Sequence, residues 1–253
     1  MYTLFILTRL ELKRLIRHQM VWIMTLIAVF ILFLMDAFNY FTIEEQIKMI
    51  KDFSLGIMNL LCLVMVVYEP MVMVHDEWKE KTGYALLTAP LSRTQFILGK
   101  ALALAVILGW TLLLNFLSLA LILTLKKAPV DGQLLMAVLM IYLKNLSLMS
   151  FSFLLAVLPL SPLLASLCSL FIYLVGSVKS YFLATLDHEG TAPFAHKLLF
   201  SFFPNFRIFD VVESITLGNA VPLSHVLNCF LHFLGISVLI FGITGLIFNK
   251  KEI

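Results

Sequence analysis

Charge is scarce in this sequence. Asp, Glu, Lys and Arg make up 13% of its 253 residues, where an ordinary soluble domain carries about 25%. Together with 61% hydrophobic residues and a mean hydropathy of +1.01, that scarcity excludes a soluble globular domain, a disordered chain, a coiled coil and collagen. The net charge of +3 is too small, and the bases too scattered, for a nucleic-acid surface. Cysteine is scarce as well. Cys62, Cys168 and Cys229 each stand alone in an apolar run, which makes neither a disulfide framework nor a metal box and marks them as small buried hydrophobes. Catalytic signatures are missing. There is no Gly-x-Ser-x-Gly, and Gly99-Lys100 lacks the upstream Gly and the following Ser or Thr of a phosphate loop, with Thr94 and Ala101 in those places. The sequence therefore reads as non-enzymatic, without a nucleotide site of its own.

Long apolar runs are what it has. A membrane-crossing helix needs about 20 mostly apolar residues, and six such runs cover residues 20–38, 54–74, 98–125, 134–158, 161–183 and 225–248. The expectation is an all-α polytopic membrane protein, one transmembrane domain over residues 1–253. The first run has no small-residue cleavage site after it and some 19 residues before it, so it reads as a span and not a leader. With the N-terminus inside, the cytoplasmic segments hold ten of the 18 Lys and Arg against five acids, while the outer side holds eight bases against nine acids. The basic excess places both termini in the cytoplasm.

Ahead of the first span, Arg9, Lys13 and Arg17 repeat every four residues and line one helical stripe. Phe5, Leu12, Leu15 and Ile16 lie opposite, with Ile6 and Leu10 breaking the pattern. The segment reads as an amphipathic helix along the inner leaflet or as a plain positive-inside flank. Between spans two and three, residues 75–97 form the one substantial cytoplasmic loop. Pro90 ends the helix that enters through Trp78, because the residue before a proline avoids helical geometry. Ser92 with Gln95 forms a capping box, and Leu91 with Phe96 a hydrophobic staple, so a new helix starts at Arg93. The result is a helix-turn-helix elbow. Spans four and five are joined by a few residues only, with Ser161 as cap and Pro162 at the first helical position. Outside, residues 184–224 contain Asp210-Val211-Val212-Glu213, a capping box for a short helix closed by Gly218. Val211, Val212, Ile215 and Leu217 would rest that helix on the outer leaflet, as a gate or as a seal.

The elbow residues resemble a known pattern. Glu77, Thr82, Leu86-Leu87, Pro90, Ser92-Arg93 and Gly99-Lys100 follow the order and spacing seen in membrane subunits of type-2 ATP-binding-cassette (ABC) exporters. Lys81 departs from it where the family has glycine; Gly83 stands two positions on. Pro204-Asn205-Phe206, Phe209-Asp210 and Gly218 before a last span ending in Phe248-Asn249-Lys250-Lys251-Glu252 also look familiar, so the resemblance covers the whole chain. It implies a permease half that pairs with a second permease subunit, as a homodimer, in a bacterial inner membrane. A separate ATPase subunit, holding ATP with Mg, docks on the elbow. By the resemblance, Glu77, Thr82, Pro90, Ser92, Arg93, Gly99 and Lys100 couple the two, and transport runs outward.

Polar residues within the spans are the candidates for a translocation pathway. Glu69 precedes Pro70 in the inner part of span two, a carboxylate beside a freed carbonyl, which suggests a kink at a wet site or a structural bend. Lys144-Asn145 falls near the middle of span four; a lysine there costs about 2.5–3.5 kcal/mol unless paired. Either Lys144 faces the subunit interior, or residues 134–142 lie at the outer interface and Lys144 marks the entry. Met71, Met73 and His75 carry soft metal donors, but packing alone accounts for them among 12 methionines. His225 and His232 share a face and read as packing residues. An intramembrane enzyme would need a nucleophile with its base or clustered His and acids inside the spans, which are missing. An ATP-independent carrier often shows matching halves, whereas a 23-residue elbow here faces a turn of a few residues. With few charges in the spans, the cargo class leans to lipid-like, peptide or drug-like molecules.

Overall fold

The computed structural model describes residues 2–17, 22–23, 25–27, 29–30, 42–79, 93–188, 203–216 and 219–250. Among them the secondary structure is helical throughout: α1 (Tyr2–Arg17), α2 (Ile43–Lys79), α3 (Arg93–Leu125), α4 (Gly132–Val157), α5 (Pro162–His188), a 3₁₀ turn (Phe206–Phe209), α6 (Val212–Thr216) and α7 (Leu223–Lys250). Five of these helices, α2, α3, α4, α5 and α7, are long and apolar enough to cross a membrane. They contain five of the six expected spans; the first, 20–38, lies mostly outside the described residues.

Helix α2 begins 11 residues before the apolar run it carries. The cause is local: the Thr42 amide and hydroxyl both donate to the Glu45 carboxylate, at 3.3 and 2.7 Å, and close a capping box. The helix then continues through Pro70 to Lys79. Helix α3 is described from Arg93 and ends in a Schellman motif with Lys127 in the left-handed region at φ 57°. Helix α5 opens as predicted, with Ser161 Oγ accepting from the Leu164 amide at 3.3 Å.

Helix α4 is the axis of the bundle. In its most apolar 18-residue stretch 72% of residues are buried, against 17% in that of α5 and 22% in that of α7, and it packs on α2, α3, α5 and α7. Two polar side chains of α4 bond to other helices inside the bundle: Ser152 Oγ meets Ser169 Oγ of α5 at 2.6 Å, and Tyr142 donates to the Ala105 carbonyl of α3 at 3.0 Å. Such bonds replace the hydrophobic driving force that lipid removes between helices.

Two expectations about faces change. Helix α1 turns Leu7, Glu11 and Leu15 inward and leaves Phe5 and Ile16 exposed, because it packs lengthwise on α3 and Glu11 is drawn to a buried base. In α6 and just before it, Val211 and Ile215 are buried, since the helix packs on α2 and α4 instead of presenting those residues to lipid. Met71 and Met73 are ordinary core residues, each 1% exposed.

Candidate functional site

Glu69 apart, the residues singled out by sequence fall into two places, one at the elbow end of the bundle and one on the far side from it, midway along α4. At the elbow end, where α2 leaves and α3 enters, Glu77 lies in the last described turn of α2 and Arg93 is the first described residue of α3; Thr82, Pro90 and Ser92 lie outside the described residues. Gly99 and Lys100 are fully described. A β-carbon on Gly99 would stand 2.6 Å from a methyl of Leu7, so glycine lets α1 lie against α3. Lys100, with no exposed surface, reaches Glu11 Oε1 of α1 at 2.8 Å and donates to the Met73 carbonyl of α2 at 3.1 Å. Its ammonium also stands 4.9 Å from the Phe96 ring centre, and Phe96 stacks on Phe248 of α7. Beside them, Gly245 of α7 leaves room for Thr94 of α3; a β-carbon there would lie 2.6 Å from the Thr94 methyl. One lysine thus ties three helices together, and aromatic stacking adds the fourth.

On the far side, Lys144 and Asn145 sit on unbroken α4, at 5% and 1% exposure. The Lys144 side chain faces the subunit interior. Its ammonium lies 3.9 Å from Asp210 and 5.1 Å from the Tyr173 ring centre of α5. Asn145 Nδ2 donates to Asn59 Oδ1 of α2 at 3.2 Å, and Asn59 Nδ2 donates to the Tyr173 hydroxyl at 3.0 Å. Three helices and the segment before α6 therefore share one polar network. It opens on a cleft of about 250 Å³ lined by Asp52, Asn59, Lys144, Phe209, Asp210 and Glu213. Glu69 is buried too, but it stands ten residues from Asn59 on α2, about 15 Å along the axis, and does not join the network.

The 3₁₀ turn holds the roof of this cleft. Phe206 and Phe209 plug into the bundle at 0% and 2% exposure, Phe206 against Tyr173 and Phe209 against His232. Lys179 of α5 donates to the Phe203 carbonyl at 2.8 Å, Ser180 to Asn205 Oδ1 at 3.1 Å, and His225 of α7 meets the Ile208 carbonyl at 2.9 Å. Asn59, Tyr173 and Glu11 escape sequence reasoning. The first two are lone polar groups in apolar runs, a signal that was present; Glu11 counts there only as a cytoplasmic acid. Among the described residues no group of three His, Cys, Asp or Glu is placed to hold a metal ion.

No curated protein matches the chain. Residues 7–184, well over half of its length and including α1, the elbow and the helices on either side, match the family model described as ABC-2 family transporter protein. Members of that family are the membrane permeases of ABC transporters, transport subunits and not catalytic ones, and the helical bundle with its apolar spans has the form such a subunit requires. The chain belongs to the ABC-2 transporter family.

Proposed function

We propose that this chain is one permease half of an ATP-driven exporter. It pairs with a second copy, lies in a bacterial inner membrane with both termini in the cytoplasm, and is driven by a separate ATPase subunit that binds ATP with Mg. The observation that carries the reading is the Lys100 knot: the exit of the elbow is bonded to the end of α2 and to α1 through a fully buried ammonium. An elbow anchored in this way does not move alone. When the ATPase closes on nucleotide, a push on the elbow shifts α1, α2 and α3 as one packed body, and α4 with its partners follows into a second arrangement. Glu77 and Arg93 supply charge for docking, Thr82, Pro90 and Ser92 set the turn, and Gly99 and Lys100 pass the displacement on. Glu69, Lys144 and Asn145 are the polar groups that the moving pathway exposes to cargo.

The experiment is purification in mild detergent. A stoichiometric ATPase is expected to travel with the chain, and Glu77→Ala combined with Arg93→Ala releases it. If no ATPase appears, or if the purified chain alone moves cargo without nucleotide, the reading is wrong.

A further inference from the structure

The cleft on the side far from the elbow has opposite charges at its floor and its rim. Lys144 forms the floor, its side chain 7% exposed. Among the described residues no acceptor lies within hydrogen-bonding distance of its ammonium: Asp210, at 3.9 Å, is its ion-pair partner, well beyond the ~2.7–3.2 Å of an N–H···O bond. The Tyr173 ring adds attraction and no lone pair in line. With Asp210 beyond that distance, the ammonium is turned toward the cleft it lines. Asn59 adds an amide to the same floor.

The rim is acidic. Asp52, Asp210 and Glu213 are all exposed, three carboxylates against one ammonium. These acids make no three-ligand metal group, so a single ion does not account for them. A simple anion is repelled by the rim, and a simple cation is repelled at the floor. A molecule carrying both charges a few bonds apart satisfies both. The volume of about 250 Å³ holds about eight waters at ~30 Å³ each, room for a headgroup with a similar number of heavy atoms.

We propose that this cleft binds a small zwitterion, with phosphate- or carboxylate-type oxygens on Lys144 and Asn59 and an ammonium toward Asp52, Asp210 and Glu213. The inference rests on the permease reading and adds the class of cargo: an amphiphile or small molecule with a zwitterionic head. The oxygens take the hydrogen bonds that Asp210 is too distant to take, and the ammonium takes the excess negative charge of the rim.

The test uses the full chain in nonionic detergent, without nucleotide, and isothermal titration with glycerophosphoethanolamine. Inorganic phosphate and ethanolamine are the single-charge controls, and dioleoyl phosphatidylethanolamine in mixed micelles is the lipid arm. The zwitterion is expected to bind at least about tenfold more tightly than either control, with Lys144→Met removing binding and Asp52→Asn weakening it about threefold or more. Asp52→Asn changes an exposed rim residue and serves if Lys144→Met does not fold. Tighter binding of the lipid than of the free headgroup places the source in the bilayer; equal binding places it in solution. Zwitterion binding no tighter than phosphate or ethanolamine, or unchanged in both variants, overturns the proposal. Because binding is read without the ATPase, its failure leaves capture of the ATPase standing, and failure of capture leaves binding standing.

Discussion

Lys100 is a fully buried charge, paired with Glu11 from 89 positions away. Taking both ions out of water costs several kcal/mol each, recovered only while the pair stays intact. Glu11→Ala therefore takes one charged partner from a buried ammonium and is expected to destabilise the folded chain by about 3–5 kcal/mol, read as a lower thermal midpoint in detergent. Glu11→Leu with Lys100→Met removes both charges and is expected to recover most of that loss. A silent Glu11→Ala would mean that the pair contributes nothing to the fold. The sequence singles out Gly99-Lys100 as a motif but hides its reason, because Glu11 sits in a helix whose visible stripe is basic. The same holds on the side far from the elbow. Lys144 stands out as an anomaly, while its neighbours Asn59, Tyr173 and Asp210 come from three other segments that only packing brings together.

Helices were legible wherever local chemistry and apolar length agree. Ser161-Pro162 opens a helix where the sequence puts it, and the early start of α2 was written in Thr42-x-x-Glu45, a capping box outside the apolar run. Less legible was the 3₁₀ turn, whose position depends on a notch in another helix. A β-carbon on Gly176 of α5 would lie 2.5 Å from the Phe206 ring and 2.7 Å from the Pro204 carbonyl oxygen; the ring can shift, but the backbone oxygen cannot without moving the turn. Gly176→Ala is thus expected to cost about 1–3 kcal/mol and to raise hydrogen exchange across residues 203–216. Gly235→Ala on α7, where nothing lies within 4 Å of the added carbon, is the control; helix propensity predicts no loss, and a gain of up to about 1 kcal/mol. Equal effects of the two substitutions would show that the notch does not hold the turn.

For the molecule as a whole, the ends of the described segments fix how the chain must pass. Helix α1 is bound to Gly99 and Lys100 at the elbow end. Helix α2 begins at the opposite end, where Lys51 lies 3.6 Å from Asp131 just ahead of α4. Between these two helices the chain is expected to pass from one end to the other. Thr25, buried beside Met58, Cys62, Thr111 and Asn115, lies between α2 and α3 on that route. Six crossings are therefore expected, five of them the long apolar helices among the described residues. In a chain whose three cysteines have been replaced, single cysteines at Lys13 and Ser161 are expected to react with an impermeant thiol reagent from one side of the membrane. Cysteines at Lys127 and Asn219 should react from the other, since all four positions are exposed. Labelling of Lys13 and Lys127 from the same face would mean that residues 18–41 do not cross, and the six-span permease would have to be redrawn with five. Lys13 and Ser161 reacting from the outside would keep the six crossings but reverse the orientation, placing the elbow where no cytoplasmic ATPase could reach it.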